Sequence, residues 1–202
     1  MKNLILGIAL FLIASLPLTA QQNTNNKEFL FNYFEETTEQ LEDEISGLSE
    51  EQMHFKPSEE EWSISQCIEH IILTEIMLYE MAKTELDKPE NPERKGDVKF
   101  KDEDLIEGIK DRSKKAQASD ELTGEGQYNS PEIAIADFKE QRQLILDFIE
   151  TTPVETFRNH ISDSPFGAVD TYQSILFIAG HTARHTLQIE EIKASEGFPD
   201  RP

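Results

Sequence analysis

The 202-residue sequence contains a single cysteine, Cys67, and therefore cannot form an intrachain disulfide. Its length is that of one domain, and 37% hydrophobic residues are enough to bury a core. Without disulfides, the stability of the domain has to come from packing, to which a bound metal could add. A small disulfide-stapled scaffold is therefore excluded.

Basic residues are also scarce, with 19 Lys and Arg against 40 Asp and Glu and a net charge of −21. A surface this acidic repels the phosphates of nucleic acids and the headgroups of anionic lipids. We therefore expect no nucleic-acid partner. The simplest interpretation of the excess acid is a well-solvated protein surface.

Several common enzyme motifs are missing from the sequence. It has no glycine-rich phosphate loop and no serine-elbow sequence. A zincin needs glutamate directly after the first histidine of its motif, but Thr182 follows His181 here. The two Glu-x-x-His motifs of di-iron bundles are not present either. After these exclusions, the candidate functional residues are histidines that are not accompanied by a set of carboxylate metal ligands.

A long apolar run occurs at the N-terminus, in "MKNLILGIALFLIASLPLTA". Lys2, the apolar stretch 4–16 and the small Ala20 predict a secretory signal peptide over residues 1–20. The stretch is short for a membrane span, which needs about 20 residues, although an uncleaved anchor is the alternative. We expect residues 21–26 to be a flexible N-terminus. The protein would then be exported, periplasmic or secreted, without stable membrane association after cleavage.

Residues 27–199 predict one helical domain with almost no alternating strand pattern. Ser63 and Gln66 form a capping-box pattern, Ser130 precedes a proline, and Asp170 precedes the last apolar periodicity. The segments 49–61 and 151–170 indicate a loop and an irregular connection. The predicted helices cover about residues 27–48, 64–86, 102–118, 131–150 and 171–196. The fold class is all-α, an antiparallel four-helix bundle with an additional shorter helix.

The last helix carries two histidines one turn apart, His181 and His185, in "GHTARHTLQIEEI". At 100° per residue, both lie within or beside the arc formed by Ile178, Ile189 and Ile192, so both imidazoles face the core. Buried imidazoles need partners for their nitrogens, and hydrogen bonds could supply them. Two inward imidazoles at this spacing can also converge on one metal ion.

His70, on the central second helix, could complete a site with three nitrogen ligands and one open position. Alternatively, His70 is a core histidine that is hydrogen-bonded to a neighbouring helix. His54 and His160 fall in loop segments and are better explained as surface or loop residues than as ligands. Cys67, one turn before His70, is better explained as a small buried residue than as a ligand.

The blocks "FKPSEEEWSISQCIEHI" and "FGAVDTYQSILFIAGHTARHTLQIEEIKASEGFP" resemble the DinB-like superfamily, which includes the YfiT-like metal hydrolases and the bacillithiol transferases. The resemblance covers about residues 27–199. It implies a four-helix bundle, often a homodimer, with a divalent metal, Zn or Ni, held by His70, His181 and His185. Characterised relatives include metal-dependent transferases that activate a low-molecular-weight thiol.

Three hypotheses remain open on the sequence. The protein is a metal-dependent hydrolase or thiol S-transferase with a small-molecule substrate, a non-catalytic metal-binding or stress-response bundle, or a bundle without metal. No catalytic residue can be assigned from the sequence. Glu75 and Glu69 are candidates for a general base only because they lie close to His70 along the chain.

Overall fold

The computed structural model describes residues 26–114 and 117–200, so the predicted signal peptide and residues 21–25 lie outside the described part. Four long helices carry the domain, with three short α-helices, two 3₁₀ helices (Pro92–Asp97 and Asp120–Leu122) and one hairpin in the connections. The elements are α1 (Lys27–Ile45), α2 (Glu50–His54), α3 (Ile64–Leu86), α4 (Asp102–Lys110), α5 (Pro131–Thr151), α6 (Val154–Asn159), β1 (Ile161–Ser164), β2 (Gly167–Asp170) and α7 (Thr171–Lys193). The predicted four-helix bundle is confirmed.

The capping signals of the sequence mark the long helices correctly. Ser63 accepts a hydrogen bond from the amide of Gln66, whose side chain bonds back to the amide of Ser63. Ser130 caps α5 ahead of its first-turn proline, and the carboxylate of Asp170 accepts from the amide of Gln173 at the start of α7. Asn26 caps α1 in the same way.

Three predicted connections and boundaries are wrong. The loop after α1 contains α2, which begins with a capping box at Ser49 and Gln52. The helix predicted to reach residue 118 ends at Lys110, because Asp111 takes an extended conformation and its side chain turns the chain by accepting from the amide of Ser113. The connection predicted as irregular holds α6 and an antiparallel hairpin, which pairs Ile161 with Asp170.

The core lies in two clusters, one at each end of the bundle. The first cluster joins the second halves of α1 and α7 to the first halves of α3 and α5. The second cluster joins the first halves of α1 and α7 to the second half of α5 and part of α3. Helices α1 and α7 therefore run in one direction, and α3 and α5 run in the other. The packed pairs α3/α7 and α1/α5 are antiparallel, whereas the packed pairs α1/α7 and α3/α5 are parallel.

A polar layer separates the two clusters at the midpoint of all four long helices. Arg142 of α5 and Glu75 of α3 form a buried ion pair, with 2.7 Å between Nη2 and Oε1. The Arg142 guanidinium also donates to the carbonyl oxygen of Phe34 and the hydroxyl of Thr37 on α1, both at 2.7 Å. It donates as well to the Thr182 hydroxyl of α7 at 2.8 Å, so one side chain contacts the other three long helices.

Candidate metal centre

The antiparallel contact between α3 and α7 brings the three predicted imidazoles together. His70 lies in the first half of α3, His181 lies at the middle of α7 and His185 in its second half, where the two helices pack side by side. The side chains of all three residues are buried, with 5%, 9% and 7% of their surface exposed. Each residue offers one ring nitrogen as a possible metal ligand, and these three nitrogens all lie within 4.8 Å of one another.

The spacing of the nitrogens matches a metal coordination shell. Nε2 of His181 lies 3.2 Å from Nε2 of His70 and 3.1 Å from Nε2 of His185. Ligands at about 2.0–2.1 Å from a tetrahedral Zn²⁺ are separated by about 3.3 Å. A hydrogen bond could explain one of these two short contacts, but the single Nε2 of His181 cannot donate to both neighbours. One cation among the three nitrogens would satisfy all of them.

The outer nitrogens of two rings determine which tautomer is present. Nδ1 of His70 lies 2.7 Å from the carbonyl oxygen of Leu122, and Nδ1 of His185 lies 2.9 Å from Oε1 of Gln188. Both oxygens can only accept, so both Nδ1 atoms carry the proton. The Nε2 atoms of the neutral rings then present lone pairs to the centre of the group, as metal ligands require.

Burial keeps the three rings neutral. Desolvation lowers the pKa of His181 to about 3, helped by the neighbouring His70 and by the positive charge of Arg184. Desolvation lowers the pKa of His185 well below its usual value and also lowers the pKa of His70. Nδ1 of His181 is a buried atom without a hydrogen-bond partner. Three neutral imidazoles with their Nε2 atoms close together, two of them presenting lone pairs, fit a divalent metal ion.

Aromatic rings surround the three histidines. The Trp62 ring lies 4.8 Å from the ring of His70 and 6.1 Å from that of His185. Phe177 stacks on His181 with 6.1 Å between ring centroids. The apolar rings limit the access of water to the donors, which strengthens electrostatic interactions at the site. Because Trp62 directly precedes the cap of α3, the start of this helix shapes the site.

The two carboxylates considered as general bases are engaged elsewhere. Glu75 binds Arg142 and accepts from the Thr182 hydroxyl at 2.7 Å. Glu69 accepts from the backbone amides of Gly126 and Gln127, at 2.8 and 3.3 Å, and so holds the loop before α5. Both residues have structural partners, and the general base stays unassigned.

The remaining histidines and the cysteine lie outside the group. His54 Nε2 lies 2.7 Å from the side-chain oxygen of Asn129. His160 lies in the connection between α6 and β1, where it is buried and its two ring nitrogens contact the carbonyl oxygens of Thr156 and Lys88. Cys67 is fully buried in the first core cluster, as its small size suggested.

Sequence reasoning missed Arg142, which organises the polar layer directly behind Thr182. A signal was present: Arg142 replaces an apolar residue in the stripe of α5 formed by Ala134, Phe138, Ile145 and Ile149. An arginine at a core position of a helix predicts a buried carboxylate on a neighbouring helix, because a buried guanidinium needs partners for its donors.

No helix within residues 26–114 and 117–200 combines the length and the apolar composition that a membrane crossing needs.

Comparison with known proteins identifies relatives of the whole bundle. The family model described as the DinB superfamily matches residues 33–189. The uncharacterized protein YuaE of Bacillus subtilis (strain 168) is 28% identical over 161 residues, which cover 79% of this chain and 94% of YuaE. The structure of YfiT from Bacillus subtilis, described as "a probable metal-dependent hydrolase with an unusual four-helix bundle topology", matches with a TM-score of 0.57 and 15% identity. That match covers 86% of this chain and 89% of YfiT, and it shows a shared fold.

Proposed function

Since the chain belongs to the DinB superfamily, we propose that it is a metal-dependent enzyme that hydrolyses a small molecule. His70, His181 and His185 would bind one divalent metal, with Zn²⁺ or Ni²⁺ as the expected ion. The observation that carries this proposal is the convergence of three Nε2 atoms, with Nε2–Nε2 distances of 3.1 and 3.2 Å from His181 to its two neighbours.

A divalent metal with three protein ligands and an open position acts as a Lewis acid and lowers the pKa of a bound water or thiol. The side chains of this protein would hold that ion and keep its surroundings dry. Leu122 and Gln188 orient two of the three imidazoles, and Trp62 and Phe177 cover the faces of the rings. Transfer of a low-molecular-weight thiol to an electrophile is the alternative reaction for the same site.

The test starts with protein purified without an affinity tag. Elemental analysis should find about one divalent metal ion per chain in the wild type and in His54→Ala, whose imidazole contacts Asn129 outside the site. His185→Ala should lose the metal. Turnover is then measured with esters, amides and thiol–electrophile pairs in the presence of Zn²⁺, Ni²⁺ or Mn²⁺. Equal metal content in wild type and His185→Ala would refute the site, and metal without turnover on any class of substrate would refute the catalytic assignment.

A second candidate is a metal that only stabilises the bundle. The near-complete burial of the three histidines and the packing of Trp62 on two of them favour this reading. In that case, metal removal should lower the melting temperature of the wild type, while no substrate is turned over. An enzyme would show turnover that disappears on metal removal and returns when the ion is restored.

The cellular setting is part of the proposal. We propose that residues 1–20 act as a signal peptide and that the mature protein is exported to the periplasm or secreted. There it would act on a small molecule, and we expect no nucleic-acid partner. A homodimer is the expected assembly if the protein follows its family. N-terminal sequencing of the mature protein after cell fractionation tests export, and sedimentation tests the assembly; an intact N-terminus in the cytoplasmic fraction would refute export.

A further inference from the structure

Gln188 lies between His185, one of the three candidate metal ligands, and the guanidinium of Arg112. Its Oε1 atom lies 2.9 Å from Nδ1 of His185 and also accepts from Nη1 of Arg112 at 3.2 Å. Gln188 lies one turn beyond His185 on α7, whereas Arg112 lies in the segment that follows α4. The contact therefore joins two parts of the chain that are 76 positions apart.

Arg112 determines which end of the Gln188 amide faces the histidine. A guanidinium has only donors, so the amide group that meets it has to be the oxygen. The same oxygen then faces Nδ1 of His185, which must donate. Arg112 is itself held by Glu191 on α7, through contacts of 3.1 and 2.6 Å from Nε and Nη2 to the two carboxylate oxygens. The bidentate geometry fixes the plane of the guanidinium.

We propose that Gln188 and Arg112 are positioning residues that hold His185 in the Nδ1-protonated tautomer, so that its Nε2 lone pair points at the metal position. The inference rests on the proposed function for its purpose, but the tautomer exists without metal. An isolated neutral imidazole exchanges between two tautomers, and only one of them presents a lone pair at Nε2. Gln188 and Arg112 together disfavour the Nε2-protonated tautomer of His185, which has no lone pair at Nε2 to bind the metal.

The three histidines are held in different ways. Nδ1 of His70 lies 2.7 Å from a backbone carbonyl oxygen, that of Leu122, which no side-chain substitution removes; the Thr74 hydroxyl is farther away, at 3.5 Å. Nδ1 of His181 has no partner. His185 is therefore the ligand whose orientation depends on a replaceable side chain, and it is the position where this dependence can be measured.

The first experiment uses metal-free protein. Long-range ¹H–¹⁵N correlation spectra distinguish the protonated from the unprotonated ring nitrogen of each histidine. His185 should be protonated at Nδ1 in the wild type and in Gln188→Glu, because a carboxylate also accepts from Nδ1. In Gln188→Ala the Nε2-protonated form should appear. Arg112→Met should give a partial shift, since the amide of Gln188 can then rotate and offer its NH₂ group.

The second experiment measures metal affinity by competition with a chelator. Gln188→Ala should weaken Zn²⁺ binding about 10- to 100-fold, the range found when an outer hydrogen-bond partner of a ligating histidine is lost. Gln188→Glu should restore it. Gln143→Ala, which removes an exposed glutamine bonded to Asp147 on α5, is the matched control and should change neither readout.

The outcomes separate the two proposals. If Gln188→Ala leaves His185 entirely protonated at Nδ1, the positioning role is refuted, whatever the metal affinity. If the tautomer shifts as expected but the wild type binds no divalent metal, the positioning role stands and the proposed function fails. If Gln188→Ala does not fold, the tautomer in Arg112→Met decides: a fully Nδ1-protonated His185 there would overturn the role of the pair.

Discussion

The buried ion pair between Arg142 and Glu75 provides the strongest test of how the bundle is held together. Arg142→Met keeps an unbranched side chain of similar length at the centre of α5 but removes the guanidinium. Glu75, which is 0% exposed, would then keep its carboxylate without the cation beside it. The hydroxyls of Thr37 and Thr182 and the carbonyl oxygen of Phe34 would lose a donor at the same time.

The magnitude follows from the cost of leaving one buried charge without its partner. Breaking such a pair destabilises a protein by about 3–5 kcal/mol. For a chain of 150–250 residues, each kcal/mol lowers the melting temperature by about 2–4 °C, so Arg142→Met should melt about 6–20 °C below the wild type. The free energy of unfolding is measured by urea denaturation at neutral pH, on metal-free protein, with circular dichroism at 222 nm.

Two further variants identify the cause of the loss. Lys139→Met removes a cation from the same helix, but the pair of Lys139 with Glu42 is 46% and 44% exposed, so the cost should stay below about 1 kcal/mol. Combining Arg142→Met with Glu75→Leu removes both charges and should recover most of the loss, because a buried pair can be replaced by apolar side chains at little cost. Equal, small losses in Arg142→Met and Lys139→Met would refute the reasoning.

Three other predictions address the histidines, a loop and the cysteine. Because the folded-state pKa of His181 is lowered to about 3 from a normal value near 6.5, its neutral form contributes stability that is complete above pH 6.5 and is lost as the pH falls towards 3. Metal-free wild type should therefore lose more stability than His181→Leu between pH 7 and pH 4.5 in urea titrations, and parallel pH profiles would contradict this. Gly124→Ala places a Cβ atom 2.6 Å from the carbonyl oxygen of Gln66 and should displace the loop. Because this loop contains Leu122, whose carbonyl oxygen meets Nδ1 of His70, Zn²⁺ binding should weaken in a chelator assay. Gly96→Ala meets no atom within 4 Å and should change nothing; equal affinities in both variants would sink the argument. Burial raises the pKa of the Cys67 thiol to about 12, so it should not react with a thiol reagent at pH 8 until the protein is unfolded by denaturant, and rapid labelling of the native protein would be the contrary result.

The sequence predicted those parts of the molecule that depend on local chemistry. The starts of α3, α5 and α7 were predicted because Ser63, Ser130 and Asp170 act through hydrogen bonds within one helical turn. The meeting of His70 with His181 and His185 was expected from the apolar arc of α7 and the family resemblance. The function of these residues as ligands stays a prediction.

Features that depend on distant partners were missed. Nδ1 of His70 donates to the backbone carbonyl oxygen of Leu122, and no pattern of side chains predicts a backbone acceptor 52 positions away. Helix α4 ends earlier than its sequence predicts, and the carbonyl oxygens of Ile109 and Asp111 accept from the distant Arg184 of α7 instead of from further helical turns. The hairpin β1–β2 has only four residues per strand, too few for a period of two to stand out.

The polar layer and the metal centre are connected through α7. Apolar contacts in the two core clusters are not directional, so they restrain the position of a helix along its axis less sharply than hydrogen bonds do. Thr182 donates to Glu75 and accepts from Arg142, which ties the middle of α7 to fixed points on α3 and α5. A shift of α7 by one turn, about 5.4 Å, would break both bonds and exceed the 3.2 Å separation of His70 and His181. The hydrogen bonds of Thr182 to the buried ion pair therefore restrain the register in which His181, the preceding residue of α7, faces α3. The geometry of the three imidazoles depends in this way on side chains that are not themselves metal ligands.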